Sequence, residues 1–363
     1  MADNVFDIVH SEAGPFGLIS MVARFDTIEF VPGQALGLGI WNAQSVNTRF
    51  GLIEFRDQML TLVDPSDRGA AGQQIQIQNR VVKAFEIPHF QLNGNVRAEE
   101  VVGVREFGTT NTFQTVESKI MQELRQAEMN FSGSEEFMAV TALQGVTKAG
   151  SSAITVLDAY AMSGQTKRTT IFGANNTFDI GAGNTANATN PQADSRLLLK
   201  CHTIVRQLRT DCRMGAMLPR PWIFADSAWM DAFTTSIEVK NAYQRFTELA
   251  SLGQVGAYLR EGSFYGTPPF YYGGCWFEEY RGTGITASQA IVFPIPSAGT
   301  QPFYDVYYAP ADYIETANSM GRPRYAKVLP DPSGANKFIS VETQFNATYL
   351  CRRPIALYDL LKS

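Results

Sequence analysis

Cysteine and histidine are the residues of this chain that could support nucleophilic chemistry. The four cysteines are Cys201, Cys212, Cys275 and Cys351, and the three histidines are His10, His89 and His202. A cysteine nucleophile needs a base within reach, but Cys201 and His202 are neighbours on a predicted helix, where adjacent side chains point about 100° apart. We favour a packing role for Cys201. A Cys/His hydrolase that uses Cys201 or Cys212 with a distant histidine is an alternative.

Motifs that bind nucleotides or metals do not occur in the sequence. The cysteines have neither CxxC nor zinc-type spacing. Residues Gly37–Asn42 begin like a dinucleotide-binding fingerprint but end in asparagine, and no strand, turn and helix surround them. There is no Walker A, HExxH, GxSxG or EF-hand pattern. We therefore expect no catalytic residue, no cofactor and no metal, and a protein that is not an enzyme.

The composition describes a folded protein with a slightly acidic balance. Of 363 residues, 45% are hydrophobic, and 30 Lys and Arg stand against 35 Asp and Glu, for a formal net charge of −5. A dedicated nucleic-acid binder is basic, so we expect at most weak contact with DNA. The N-terminal residues lack the pattern of a signal peptide, and no run approaches the roughly 20 apolar residues that cross a bilayer. These features predict a soluble protein that is made in the cytoplasm.

The first part of the chain predicts two segments that cannot form a core alone. Residues 11–48 mix glycines with scattered large apolar side chains and keep no regular period, which predicts an extended arm that lies on another surface. Next, 52–63 and 73–82 read as two strands around the turn-rich tip 64–72. A ribbon of this kind packs on its own domain, as an ordinary surface hairpin, or reaches across to a neighbour.

Two amphipathic helices are predicted after the hairpin. Apolar residues recur at helical spacing from Asn111, and a second segment begins near Ser132 and continues to Gly145, so we expect either two helices or one bent rod. The helix at 194–214 has one apolar face, and its other face carries Arg196, Lys200, Arg206, Arg209 and Arg213. That basic face could bind phosphate, contact carboxylates of a partner, or simply be solvated.

The remaining elements alternate between strand and helix. Apolar patches at Ile154–Leu157 and Thr169–Phe172 predict a hairpin within 150–175. A strand at Trp222–Ala225 precedes a helix capped by Asp226, and a further helix is expected near 241–252. Aromatic and β-branched runs then predict further strands at 270–277, 291–295, 325–329, 338–350 and 354–361. The fold class predicted is α+β.

This order of elements resembles the capsid fold of HK97-type tailed bacteriophages, and the residues resemble the lambda-like major capsid protein family. The similarity covers nearly the whole chain, in the segments Leu38–Asn42, Thr48–Phe50, Leu62–Gly69, Ile87–Pro88, Ala98–Gly108, Glu136–Gly145, Pro310–Asn318 and Arg352–Pro354. Phe345-Asn346 departs from the pattern, where the resemblance implies Ser-Asn.

The resemblance implies a division of the chain into named regions. These are an N-arm at 1–48, an E-loop hairpin at 49–92, a P domain at 93–214 with a spine helix at 111–145 and the hairpin at 150–175, an A domain at 215–320, and a return to the P domain at 321–363. In the family the E-loop lies over an adjacent subunit. Candidate inter-subunit residues are therefore Trp41 on the arm and Arg68, Gln74, Gln76 and Arg80 on the hairpin.

The resemblance also implies a function and partners. The expected function is self-assembly into an icosahedral shell of pentamers and hexamers that encloses the double-stranded DNA of a tailed phage. Expected partners are further copies of the chain, a separate scaffolding protein, a portal, a decoration protein and, by weak non-specific contact, the packaged DNA, with no membrane. The protein is expected in the virion, and in the host cytoplasm before and during assembly. An encapsulin-like nanocompartment shell is the alternative with the same fold.

Overall fold

The structure is a computed structural model that describes residues 33–56, 80–101, 115–166, 197–212, 219–236, 239, 269–296, 302–331 and 337–361. The predicted helix at 241–252, the predicted strand at 169–172 and the tip of the first hairpin lie outside these ranges. The chain divides into two compact units. In its described part, the first contains 89–101, 115–133, 322–331 and 337–346, and the second contains the remaining described residues.

The first unit is built on a three-stranded antiparallel sheet. Strand β4 (Phe90–Arg97) and strand β12 (Tyr325–Pro330) flank the central strand β13 (Phe338–Phe345). Aromatic packing closes one end of this unit, where the ring of Phe345 lies 5.4 Å from Phe90 and 5.7 Å from Phe131. The guanidinium of Arg324 covers the Phe345 ring at 4.6 Å and pairs with Glu128 at 3.0 Å.

The predicted rod is one continuous helix, α2 (Val116–Ala142), of 27 residues. Its residues up to Gly133 belong to the first unit and those from Ser134 to the second. The predicted second start near Ser132 is wrong, because the buried positions at Phe131, Glu135, Met138 and Ala139 continue the helical repeat through it. The chain turns at Gly145, which has φ +86 and donates its N–H to the carbonyl of Ala142.

The second unit contains a five-stranded sheet with a dense aromatic core. Its order is β15 (Tyr358–Leu361), β10 (Gln289–Ile295), β7 (Arg220–Ala225), β9 (Cys275–Glu279) and β8 (Phe270–Tyr272). Helix α5 (Ser227–Thr235) begins at Asp226, whose carboxylate accepts the N–H of Ala228 at 3.2 Å, as predicted. The rings of Trp229, Phe233 and Phe277 stack and are fully buried. Helix α4 (Leu197–Cys212) buries its apolar face.

A second sheet in this unit includes residues that the sequence assigns to the arm. Strand β1 (Trp41–Ser45) pairs in parallel with β11 (Tyr304–Tyr308), which pairs antiparallel with β14 (Ala347–Cys351). A short helix, α1 (Gln34–Gly37), precedes β1. The predicted extended course is therefore wrong for 33–48, because these residues join the secondary structure of their own chain. The surface on which they lie belongs to the same chain.

The other two ribbons of the second unit are hairpins. Strand β2 (Phe50–Arg56) pairs antiparallel with β3 (Arg80–Glu86), as the sequence predicts. The first strand of the predicted hairpin at 150–175 is present as β6 (Ile154–Asp158), which pairs with the preceding strand β5 (Val146–Ala149). Asp158 accepts the N–H groups of Tyr160 and Ala161 and begins helix α3 (Ala159–Ser163), which ends at Gly164 with φ +68. The second predicted strand of that hairpin, at 169–172, lies outside the described residues.

These elements give the α+β fold class that the sequence predicts. None of the helices in the described part of the chain has the length and hydrophobicity that a membrane-spanning helix requires. The division into N-arm, E-loop, P domain and A domain stays a prediction.

Candidate functional site

The hairpin of β2 and β3 is the first candidate site, and one of its faces is part of the protein core. Ile53 and Phe85 point inward and are 8% and 7% exposed, and they pack in a cluster with Ile87, Leu157, Ala159, Tyr307, Ala309 and Leu350. The Phe85 ring meets that of Tyr307 edge-on at 5.1 Å. Gly51, opposite Phe85, leaves room for the ring, since a Cβ there would lie 2.2 Å from Phe85 Cζ. The base of the hairpin is therefore firmly attached to its own chain.

The other face of the same hairpin is apolar and exposed. Phe50 is 54% exposed, Leu52 66% and Val82 59%, and Leu52 lies opposite Ala84 in the register of the two strands. Because alternate residues of a strand share a face, these side chains form one strip, bordered by Glu54 and Glu86. We call it the hairpin strip. Both faces of the hairpin base are thus apolar, and only one is covered by the chain itself.

The second candidate site is the attachment of residues 33–42, which is built from a buried carboxylate on α2. Glu136 is completely buried, and its two oxygens accept the N–H of Ala35 at 2.7 Å and the N–H of Leu36 at 3.0 Å. These are backbone donors of the first turn of α1, which have no acceptor within the helix. Burial raises the pKa of Glu136, and the backbone hydrogen bonds lower it, with a net rise.

A second carboxylate holds the same segment from strand β9. The side chain of Gln34 donates to Glu278 Oε1 at 2.8 Å and to the carbonyl of Glu279 at 2.9 Å, and its oxygen accepts the N–H of Arg281. Trp222 also donates to Glu278, at 3.1 Å. Residues 34–36 are therefore fixed by polar contacts to two separate elements of the second unit.

Trp41, predicted as an inter-subunit residue, is half-buried and packs against its own chain. Its ring meets those of Tyr304 at 5.4 Å and Tyr349 at 4.9 Å, and its Nε1 donates to the carbonyl of Ala35 at 3.1 Å. The other predicted inter-subunit residues are not placed: Arg68, Gln74 and Gln76 lie outside the described residues, and only the backbone of Arg80 is described.

The four cysteines are all buried and unpaired as disulfides. Burial, the largest cause in both cases, raises the pKa of Cys212 and of Cys351 to about 12. Their thiols therefore stay protonated near neutral pH. His202 is on the exposed side of α4, whereas Cys201 is completely buried. The burial of Cys201 confirms its predicted packing role. Among the residues described, no histidine lies beside a cysteine as a hydrolase would require. In the same ranges no three His, Cys, Asp or Glu side chains gather as metal ligands.

Helix α4 is amphipathic as predicted, with Arg206 and Arg209 on its exposed side. Its acidic residue, Asp211, is buried and accepts the hydroxyl of Tyr358. Leu198 and Leu199, which precede the basic positions, are also exposed. The exposed face therefore combines cations with a small apolar area.

Sequence reasoning missed the residues that the structure makes most prominent. The hairpin strip could have been found, because Phe50–Ile53 has apolar side chains on both faces of a strand, which indicates that both faces become covered. The roles of Glu136 and Glu278 have no such signal in the sequence. The backbone groups that bond to Glu136 are 100 and 101 residues away in the chain, and Gln34, which bonds to Glu278, is 244 residues away.

Comparison with known proteins identifies the class to which this fold belongs. Residues 18–361 match the family model described as phage major capsid protein E. The chain is 21% identical over 379 residues to the major capsid protein of Salmonella phage Felix O1, covering 97% of this chain and 98% of the relative. It is 22% identical over 324 residues to the major capsid protein of Pseudomonas phage KPP10, covering 85% and 86%. The chain therefore belongs to the phage major capsid protein E family.

Solved structures agree at the level of the fold. The capsid structure of the cyanophage P-SCSP1u matches with a TM-score of 0.50 and 10% identity, over 89% of this chain and 86% of that chain. The fold is the HK97-like capsid fold. The chain is thus a major capsid protein of a phage, a component of the virion, and proteins of this kind self-assemble into shells. Membership in this family supports neither the nanocompartment alternative nor the hydrolase alternative.

Proposed function

We propose that this chain assembles with copies of itself into a closed icosahedral shell of pentamers and hexamers that encloses the double-stranded DNA of a tailed phage. The observation that carries the proposal is the hairpin with two apolar faces, one in its own core and one exposed. An exposed contiguous apolar strip on a soluble subunit is typical of a surface that another molecule covers. In a shell built from one protein, that molecule is a neighbouring copy.

The hairpin strip is the proposed contact, with Phe50, Leu52 and Val82 at its base. Arg68, Gln74, Gln76 and Arg80 extend the same contact along the hairpin, and Trp41 contributes from the arm. Covering Leu52 alone would contribute about 1.5–3 kcal/mol. That modest gain suits a shell, because weak contacts let wrongly added subunits dissociate while many of them together stabilise the particle.

The remaining parts of the proposal concern partners and chemistry. A separate scaffolding protein directs assembly in the host cytoplasm, and a portal and a decoration protein complete the particle. The DNA contact is weak and non-specific, and the exposed Arg206 and Arg209 of α4 are its best candidates among the described residues. The chain carries out no catalysis, a proposal that is supported by the burial of all four cysteines and by the raised pKa of Cys212 and Cys351.

The substitution Leu52→Ser tests the assembly proposal directly. Leu52 is 66% exposed, so its loss should leave the free energy of unfolding of the subunit within about 0.5 kcal/mol of wild type. Co-expression with the scaffolding protein should give closed shells for wild type and few or none for Leu52→Ser, by electron microscopy and sedimentation. Wild-type protein that stays monomeric under varied salt and concentration would contradict the function. Normal shells from Leu52→Ser would show that assembly does not depend on the hairpin strip.

A further inference from the structure

The loop from Pro310 to Gly321 presents the most exposed apolar side chain among the large hydrophobic residues of the described chain. Ile314 is 96% exposed, and Met320 on the same loop is exposed as well. An isoleucine with almost no contact to its own chain contributes nothing to folding through burial. Its side chain is therefore available for a contact outside the subunit.

This loop is held rigid by hydrogen bonds that its own sequence provides. The Thr316 hydroxyl donates to the carbonyl of Ala311 at 2.7 Å, and the Ser319 hydroxyl donates to the carbonyl of Thr316 at 2.7 Å. Ile314–Thr316 form a turn of 3-10 helix. The loop is anchored at its end by Gly321, whose N–H donates to the carbonyl of Val46 at 2.9 Å and whose Cα faces the Tyr308 carbonyl too closely for any side chain.

Rigidity matters because a preorganised surface loses little conformational entropy when it binds. We call Pro310–Gly321 the Ile314 knob. At its tip, Ile314 is flanked by the exposed carboxylates Asp312 and Glu315. A surface that accepts the knob must therefore be apolar and must also carry positive charge.

The first half of helix α2 offers such a surface. Met121, Arg125 and Met129 are spaced four residues apart, so they lie on one side of the helix, and all three are exposed. We call them the methionine stripe. Methionine side chains adapt to the shape of an inserted group, and the arginine between them matches the carboxylates of the knob. The neighbouring Glu128 already pairs with Arg324 at 3.0 Å, while Glu117 lies one turn before the stripe.

Charge makes the hairpin strip the poorer acceptor. Glu54 on the strip has the same charge as Asp312 and Glu315 of the knob, and the neighbouring cation, Arg49, already pairs with Glu86 at 3.1 Å. We propose that, in the assembled shell, the Ile314 knob of one copy docks on the methionine stripe of another copy, with Glu315 or Asp312 next to Arg125. This inference rests on the proposed shell function and adds a second contact to it.

Truncation of the knob separates docking from folding. Because Ile314 is 96% exposed, Ile314→Ser should leave the unfolding midpoint of the subunit unchanged. It should raise the subunit concentration needed for shell formation about tenfold, the size expected for one uncovered apolar side chain per contact. The matched control is Ile154→Ser, since Ile154 is 67% exposed on β6 and should leave assembly unchanged. Equal assembly of wild type and Ile314→Ser would overturn the inference.

Charge reversal identifies the acceptor. Arg125→Glu and Glu315→Arg should each impair assembly, and the double variant should recover most of it, because the pair is restored with exchanged signs. Arg281→Glu, at another exposed arginine, is the control: alone it should assemble like wild type, and it should not relieve the defect of Glu315→Arg. A double variant of Arg125→Glu and Glu315→Arg that assembles no better than the single variants would overturn the methionine stripe as acceptor. Failure of wild-type protein to form shells would instead overturn the proposed function itself, and the docking contact with it.

Discussion

At the scale of single residues, two carboxylates fix the start of the described chain. Glu136 accepts two backbone N–H groups of α1, and Glu278 accepts the side chains of Gln34 and Trp222. Hydrogen bonds to charged acceptors contribute about 1.5–3 kcal/mol each, which offsets part of the cost of removing the carboxylates from water, and the raised pKa of both groups reflects the remainder. Residues 34–36 are thus held at a defined position in the second unit.

The pH dependence of stability should reveal the half-buried Glu278. Burial is the largest influence and raises its pKa, while the bonds from Gln34 and Trp222 lower it. Since its folded pKa exceeds the unfolded one, the stabilisation from this group is present below the unfolded pKa and is lost as pH rises through the folded value. We expect the free energy of unfolding of wild type, relative to Glu278→Gln, to fall as the pH rises above about 4, the ordinary pKa of a glutamate.

Urea denaturation across that pH series measures the difference. The neighbouring, exposed Glu279→Gln is the control for the loss of one negative charge. The changed hydrogen bonds in Glu278→Gln add an offset that does not depend on pH, so the slope is the informative quantity. A wild-type advantage that grows with rising pH would contradict the assignment.

A second single residue shows how a departure from a family pattern can be structural. The resemblance implies serine at position 345, where this chain has phenylalanine. Phe345 is fully buried, packs against Phe90 and Phe131, and lies under the guanidinium of Arg324. The larger side chain is therefore accommodated by aromatic and cation–π contacts within the first unit.

At the scale of elements, the hairpin of β2 and β3 has separate roles on its two faces. The inward face belongs to the core of the second unit, and the outward face carries the hairpin strip. A hairpin alone has too little buried surface to be stable, so its position depends on the inward contacts. Folding and assembly can therefore be perturbed independently in one element.

Phe85→Ala tests the inward face. It removes a buried ring that packs against Tyr307, and we expect the subunit to lose about 3–5 kcal/mol of unfolding free energy. Chemical denaturation of the unassembled subunit measures this loss, and Phe50→Ala on the outward face is the matched control with the same change in volume. Equal losses from the two variants would contradict the division of the hairpin into a core face and a contact face.

Elements with strong local signals were predicted well from the sequence. The helical repeat of α2, the Asp226 cap of α5 and the pairing of β2 with β3 are local properties, and the structure confirms each. The predicted strand at Ile154–Leu157 is confirmed as β6, and its pairing with β5 was missed because the apolar pattern of Val146–Ala149 is short. The extended arm was wrong for 33–48, since parallel pairing with β11 depends on residues more than 250 positions away.

At the scale of the whole molecule, the chain is a capsid subunit whose surface is only partly explained by its own fold. The hairpin strip and the Ile314 knob are apolar surfaces that are exposed in the described part of the chain. Neither pattern alone indicates a partner, because single exposed apolar residues are common on monomers. Family membership supplies the missing context, since a phage major capsid protein has many copies of itself as neighbours.

The most direct test of the central claim is an electron cryomicroscopy structure of the assembled particle at a resolution that places side chains. We predict a closed shell in which Leu52 and Val82 of each subunit are covered by a neighbouring copy, while Phe85 remains in the core of its own subunit. A closed shell in which Leu52 and Val82 still face solvent in every subunit would contradict this account of how the chain assembles.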